Sequence, residues 1–333
     1  MTIYFESTEL FSNFVPRRST EWLTERIRHR SRRATTAMLR EETVFGPIRS
    51  RRLGSSLGIN LLPTKGKLCN FDCIYCECGW NADGRNDTLL PTAAKVRNAL
   101  EDKLMQLLLD GTPLDSITFS GDGEPTLNPE FPRIIDDTLK LRDAFCPGAK
   151  VSVLSNATRV HIPEVFDALR KVDNPIMKID APTDELAARI NRPAGGYSVA
   201  RTVEALKQFN GDFILQTMFL RAEDFSTAAS PSLEMTEGVA NEMTTETEKG
   251  EKEETANGIT NKSTVPTKFI FDSGAPEVLL PWMDIVRTLR PRLIQVYTID
   301  RPTPAQNLQK YTVEEMRTLV APLLEEGFNI QFR

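Results

Sequence analysis

Apolar and polar positions along this chain follow two alternating periods. Short apolar, β-branched runs at 57–62, 116–121, 150–156, 175–181, 213–220 and 293–300 read as strands buried on both faces. Between them lie stretches with a period near 3.6, such as Ala93, Val96, Leu100, Leu104 and Leu107, which line one face of a helix. A last helix is well punctuated. Thr312 and Glu315 form a capping box, Met316, Leu319, Val320 and Leu323 share its apolar face, and Gly327 ends it. Six strand–helix repeats predict an α/β fold built on a mostly parallel sheet.

Two stretches break this rhythm. Residues 222–267 are rich in Glu, Thr, Ser, Ala and Asn and poor in large apolar side chains, so they bury too little surface to offset the entropy of ordering them. They read as a disordered acidic insertion, a surface loop or a tether for a partner, between a strand and the helix near Pro276. Residues 1–43 read as an Arg-rich N-terminal extension, with only a partial apolar stripe at Trp22, Leu23, Ile27, Met38 and Leu39. Residues 1–37 are expected either to take no part in chemistry or to form a basic arm that grips phosphate.

Charge follows the same division. Of a net charge of −5, residues 222–267 contribute −7 and residues 1–37 contribute +3, leaving −1 on the rest of the chain, a near-neutral body that neither demands nor excludes nucleic acid. No apolar stretch is long enough for a bilayer and no signal-peptide pattern is present, so a cytoplasmic protein without a membrane partner is expected. Four of the five cysteines fall between Cys69 and Cys78, which is metal-site usage in a reducing compartment. Cys146, before Pro147, reads as an incidental thiol. His29 and His161 have no ligand spacing.

Cys69, Cys73 and Cys76 have C-x3-C-x2-C spacing in a loop after the first strand. Three thiolates there hold three irons of a [4Fe-4S] cube and leave the fourth iron open. A zinc site needs four ligands, commonly in two separated pairs, and the nearest fourth thiol is Cys78, only two residues on. A ferredoxin-type carrier needs a fourth cysteine on its cluster and different spacing.

This spacing resembles the signature of the radical S-adenosylmethionine (radical SAM) enzymes, and a second motif strengthens the likeness. Gly121-Asp122-Gly123-Glu124-Pro125 ends the second strand and resembles the Gly-Gly-Glu motif of that superfamily. The resemblance implies a partial (β/α)6 barrel with a curved sheet and an oxidoreductase. Its metal ligands would be Cys69, Cys73 and Cys76, its cofactors a [4Fe-4S] cluster and S-adenosylmethionine. Reductive cleavage of the sulfonium bond would then give a 5'-deoxyadenosyl radical, with electrons from a reductant such as flavodoxin or ferredoxin.

Cofactor contacts implied by the resemblance lie at the C-terminal ends of the strands, where barrel enzymes work. Backbone at Gly121 and Gly123, together with Glu124, would anchor the methionine part, and Tyr75 would lie near the adenine. Asn156, Lys178, Asp180 and Gln216 would contact the cofactor from later strands. Each also has a purely structural reading. Asn156 is a plausible turn residue, Lys178 and Asp180 an ion pair, Gln216 a backbone partner, and Tyr75 loop packing.

The runs at 46–54, 153–156, 178–181 and 297–302 are similar to a bacterial radical SAM group related to tRNA wyosine synthases. Wyosine synthases hold a second cluster with upstream cysteines; this chain has none before Cys69, which argues against imidazoline-ring formation. Three functions stay open: modification of RNA or a nucleotide, with Arg49, Arg51 and Arg52 as phosphate contacts; activation or modification of a protein partner; and a non-catalytic iron–sulfur carrier.

Overall fold

The computed structural model describes residues 42–50, 54–84, 88–223 and 269–333. Most of the N-terminal extension, Arg51, Arg52, His29 and most of the acidic insertion therefore lie outside the described residues.

The six predicted strands all form and lie side by side. They are β2 (Gly54–Ile59), β3 (Ser116–Phe119), β4 (Lys150–Ser155), β5 (Asn174–Lys178), β6 (Ile214–Met218) and β9 (Leu293–Tyr297). All pair in parallel in that order. Two further strands border them, β1 (Val44–Ser50) antiparallel on β2 and β11 (Ile330–Phe332) parallel on β9, giving one eight-stranded open sheet. Every residue of β3 and β6 is buried, as a strand covered on both faces requires.

Helices return the chain between strands: α1 (Ala93–Leu109), α2 (Phe131–Phe145), α3 (Pro163–Lys171), α4 (Asp184–Ile190), α5 (Val199–Lys207) and α6 (Pro276–Leu289). Helix α1 buries the five apolar positions read from its period, capped by Thr92, whose hydroxyl accepts from the Lys95 amide at 3.3 Å. The helical side of the sheet forms the larger core, with Leu57, Ile117, Phe119, Val153, Leu215 and Trp282 almost wholly buried. A second apolar cluster, around Phe71, Ile74, Ile190, Met218 and Phe271, supports the cysteine loop.

Three expectations change. The run at 213–220 is not one strand: the chain breaks at Phe219, and β7 (Leu220–Glu223) joins a separate antiparallel sheet with β8 (Phe269–Asp272) and β10 (Leu308–Lys310). Ala222 and Glu223, placed in the insertion by composition, thus belong to β7 and pair with Phe271 and Phe269. The last helix starts at the expected Thr312–Glu315 capping box but divides into α7 (Val313–Leu319) and α8 (Ala321–Glu325), where Pro322 supplies no backbone N–H to continue it. No helix of the described residues is long and apolar enough to cross a membrane.

Candidate metal and cofactor centre

The loop from β2 carries Cys69, Cys73 and Cys76 and is held by β3, β4 and the C-terminal end of α4. Asn60, fully buried at the end of β2, accepts from the Leu62 and Asp122 amides at 3.1 and 3.2 Å and donates to the Asp122 carboxylate at 3.1 Å. Gly121 makes this approach possible, since a Cβ there would lie 2.0 Å from Asn60 Oδ1. One residue before Cys69, Leu68 forms a parallel bridge with Gly123. Gly123 has φ +138°, and a Cβ on it would meet the Leu68 carbonyl oxygen at 1.8 Å. The two glycines of the second motif therefore fix the cysteine loop to the end of β3.

Buried polar groups close the loop on itself. The Lys67 ammonium donates to the Asp72 carboxylate at 3.2 Å and to the Gly79 carbonyl at 3.0 Å. Asp72 also accepts from the Asn81 amide, and the Asn81 side chain donates to the carbonyls of Cys69 and Phe71 at 2.9 and 3.1 Å. The end of α4 braces the other side, the Asp72 and Ile74 amides donating to the carbonyls of Asn191 and Ile190, each at 2.9 Å.

The sulfurs meet donors. Cys69 Sγ lies 3.4 Å from the Phe71 amide and 3.7 Å from Asn156 Nδ2, and Cys73 Sγ lies 3.4 Å from Asn191 Nδ2. Burial pushes the Cys73 thiol up to about 11 and the Cys69 thiol higher still. Cys76 goes the other way: a hydrogen bond from Cys78, aided by the Lys67 ammonium, lowers it against the effect of burial. Burial disfavours the charged form of Lys67, but the three cysteines and Asp72 outweigh it and raise its pKa. Among the described residues no three His, Cys, Asp or Glu side chains converge as a single ion requires. Three thiols from one loop, with N–H donors at two of the sulfurs, match the ligand set of a cubane with one open iron, whereas tetrahedral zinc takes four ligands.

A second polar layer covers the ends of β5, β6 and β9. Lys178 pairs with Asp180 at 3.5 Å, and its ammonium lies over the rings of Tyr75 and Tyr297 at 5.1 and 4.6 Å from their centroids. It also donates to the Tyr297 hydroxyl. The Asp180 carboxylate, wholly buried, receives the Tyr75 hydroxyl, Asn191 Nδ2 at 2.7 Å and the Met218 amide at 2.8 Å. Gln216 donates to the Gln295 side chain at 3.2 Å.

The structure thus brings together the three cysteines, Tyr75, Asn156, Lys178 and Asp180. Asn156 fills two roles: its oxygen accepts from the Thr158 amide and hydroxyl in an Asx turn, while its amide turns to Cys69 and to Asn70 Oδ1. Glu124 is turned toward the end of β4. Its buried carboxylate accepts from the Thr126 amide and hydroxyl, the Ser155 hydroxyl at 2.9 Å and the Asn156 amide at 2.7 Å. Burial still raises its pKa. Arg301 pairs on the surface with Glu77 at 2.9 Å, and Arg49 is exposed on β1.

Asn191 and Lys67 escaped the sequence reading. Asn191 is the residue after α4, where an Asn reads as an ordinary helix terminus; its place before Arg192-Pro193 was the available signal. Lys67 looks like a solvated lysine until the loop closes over it, yet its side chain is 2% exposed.

Comparison with known proteins agrees with this geometry. A model of the radical SAM superfamily matches residues 64–227. A UPF0026 protein of Helicobacter pylori (strain ATCC 700392 / 26695) is 32% identical over 184 residues, 54% of this chain and 56% of that protein. A UPF0026 protein of Synechocystis sp. (strain ATCC 27184 / PCC 6803 / Kazusa) is 31% identical over 190 residues, 55% of this chain and 67% of its own length. The match thus spans little more than half of the Helicobacter relative. In fold, the chain is similar to the crystal structure of a radical SAM methyltransferase from Sphaerobacter thermophilus, with TM-score 0.54 and 14% identity over 84% of this chain and 65% of that one.

Proposed function

Because the chain belongs to the radical SAM superfamily, we propose that Cys69, Cys73 and Cys76 hold a [4Fe-4S] cluster and that the adjoining strand ends hold S-adenosylmethionine for reductive cleavage. When bound, these groups supply one-electron cleavage of the sulfonium bond to methionine and a 5'-deoxyadenosyl radical. The observation that carries the reading is the donor set around the thiols: Asn156 and Asn191 amides on two sulfurs, with the buried Lys67 ammonium held in the same loop by Asp72 and the Gly79 carbonyl. N–H donors and a buried cation stabilise anionic sulfur, as a cluster demands.

The chain's own residues bind and orient. Lys178 offers a cation for a carboxylate, and the wholly buried Asp180 holds Lys178 and Tyr75 in place beneath the cofactor. Gly121 and Gly123 set the backbone beside the cysteine loop, and Gln216 on β6, held by Gln295, would contact the cofactor from below. Glu124 acts through Ser155 and Asn156, whose positions its carboxylate fixes. Cys78, 3.9 Å from the Gly121 carbonyl, stays outside the ligand set. An oxidoreductase fed by a small cytoplasmic electron carrier such as flavodoxin or ferredoxin follows from this reading.

Anaerobic reconstitution followed by iron and 5'-deoxyadenosine assays tests it. Wild type and Cys78→Ala should hold about four irons per chain, and alanine at Cys69, Cys73 or Cys76 should abolish the cluster. Asp180→Ala should keep its iron and lose on the order of a hundredfold in cleavage rate through misplacement of the cofactor. A clustered wild-type protein that yields no 5'-deoxyadenosine with a strong reductant is an electron carrier instead.

A further inference from the structure

We propose that the cavity between the loop after β4 and the loop before α5 is a phosphate-binding subsite, which takes a phosphate group of a nucleotide or RNA substrate beside the cysteine loop. It deepens the radical SAM reading by giving it a substrate class, and rests on that reading for the reaction but not for the binding.

The cavity has a volume of about 300 Å³ and is bounded by Asn70, Thr158, Arg159, Gly195, Gly196 and Arg201, among others. Its lining holds two arginines and His161 and no Asp or Glu. Arg159 Nε is buried and has no hydrogen-bond partner among the described residues. A desolvated guanidinium N–H without an acceptor is costly, and a phosphate, with oxygens spaced for the guanidinium fork, satisfies it. Arg201 approaches from the first turn of α5, on the facing side, where its side chain donates to the Gly196 carbonyl at 3.5 Å. At Gly195 and Gly196 an added Cβ would meet nothing within 4 Å, so a ligand can come close to the backbone there. Two guanidinium groups, one from the loop after β4 and one from the start of α5, together with open backbone are groups that proteins use on phosphates.

The cavity adjoins the proposed centre through Asn70, the residue after Cys69. Asn70 donates to the Thr158 hydroxyl at 2.5 Å and accepts from Asn156, whose amide also reaches Cys69 Sγ; the Asn70 carbonyl accepts from the Ala194 amide at 2.8 Å. Both walls of the cavity are therefore tied to the first cysteine.

The test uses the reconstituted full-length protein and a short fluorescein-labelled single-stranded RNA, followed by anisotropy over a series of salt concentrations, with AMP and polyglutamate as competitors. Wild type should bind the RNA. Arg159→Gln and Arg201→Gln should each weaken binding by roughly tenfold and flatten the plot of log affinity against log salt by about 0.7, the effect of one lost phosphate contact on a single strand. Arg159→Lys, which keeps the charge, should recover most of the slope and only part of the affinity. S-adenosylmethionine binding, measured by equilibrium dialysis, should be unchanged in all three variants. Competition by AMP supports the site with a mononucleotide as source, and failure of AMP alone supports it with an RNA strand. Absence of RNA binding, indifference to both Gln variants, equal competition by polyglutamate, or loss of S-adenosylmethionine binding in Arg159→Gln overturns the proposal. A wild-type protein that binds RNA through Arg159 yet gives no 5'-deoxyadenosine keeps the subsite and loses the radical reading.

Discussion

Leu68 and Gly123 face each other across a parallel bridge that joins the two sequence motifs into one piece of backbone. The Leu68 amide donates to the Asp122 carbonyl at 2.9 Å, and the Glu124 amide donates to the Leu68 carbonyl at 3.1 Å. The glycine motif thus sets where Cys69 begins its loop.

Gly123→Ala should accordingly lose most of its iron. The new methyl would collide with backbone, which cannot rotate away, so Leu68 must move and take Cys69 with it. Far-ultraviolet circular dichroism should change little, because the bridge lies outside both sheets. A variant with a full complement of iron would mean that other contacts of the loop suffice to hold it.

Lys67→Gln should shift the cluster's reduction potential to more negative values. Reduction adds a negative charge near the thiolates, and the buried ammonium favours that state; a neutral amide does not. Glutamine keeps a donor for the Gly79 carbonyl, so iron content should fall only modestly. A redox titration followed by electron paramagnetic resonance decides it, and an unchanged potential removes Lys67 from the tuning of the centre.

Replacing residues 224–268 with an Asn-Gly turn should leave folding and iron content intact. Glu223 and Phe269, at the ends of the replaced segment, are paired in antiparallel strands, the geometry that such a turn closes. Loop closure changes slowly with length, so the melting temperature should move by no more than about 3 °C. Aggregation or loss of the cluster would show that the segment contributes to the folded body.

Asp173 supplies a pH-dependent clamp on the start of β4. Burial raises its pKa, but the Val151 amide at 2.9 Å, Lys150 at 3.1 Å and Arg142 at 2.8 Å outweigh that and lower it. A depressed carboxyl stabilises the fold above its unfolded pKa and loses that contribution as pH falls through its folded value. Asp173→Asn should cost about 1–2 kcal/mol at neutral pH, and its deficit relative to wild type should shrink as pH falls through the carboxylate range. Urea denaturation at both ends of that range measures the difference; a deficit independent of pH would mean that shape, not charge, matters here.

The six parallel strands and the α1 face were legible because burial on two faces demands continuous apolar runs and a covering helix demands a 3.6-residue period. Strand β1 was not, since Gly46 and Pro47 interrupt its pattern and its register shifts between Phe45 and Ile48. The β10–β7–β8 sheet was hidden for another reason: Ala222 finds its partner Phe271 only across the insertion, and no local pattern reports so distant a pairing. In the site, cysteine spacing and polar strand ends identified Cys69, Cys73, Cys76, Asn156, Lys178 and Asp180 as neighbours. The reach of Asn191 to Cys73 depends on how α4 packs against the loop, which periodicity does not encode. The glycine motif was visible as glycine, but its close approach to Asn60 and Leu68 is a tertiary fact.

The pairing of β7 with β8 also bears on how this protein can be altered. Because the chain leaves and re-enters through adjacent strands, whatever is spliced between them adds a branch without displacing the trunk. The junction is a ready graft port: a reporter domain or an affinity handle whose own termini lie close together can be seated there with both ends anchored, leaving the cysteine loop and the arginine-lined cavity beside it untouched.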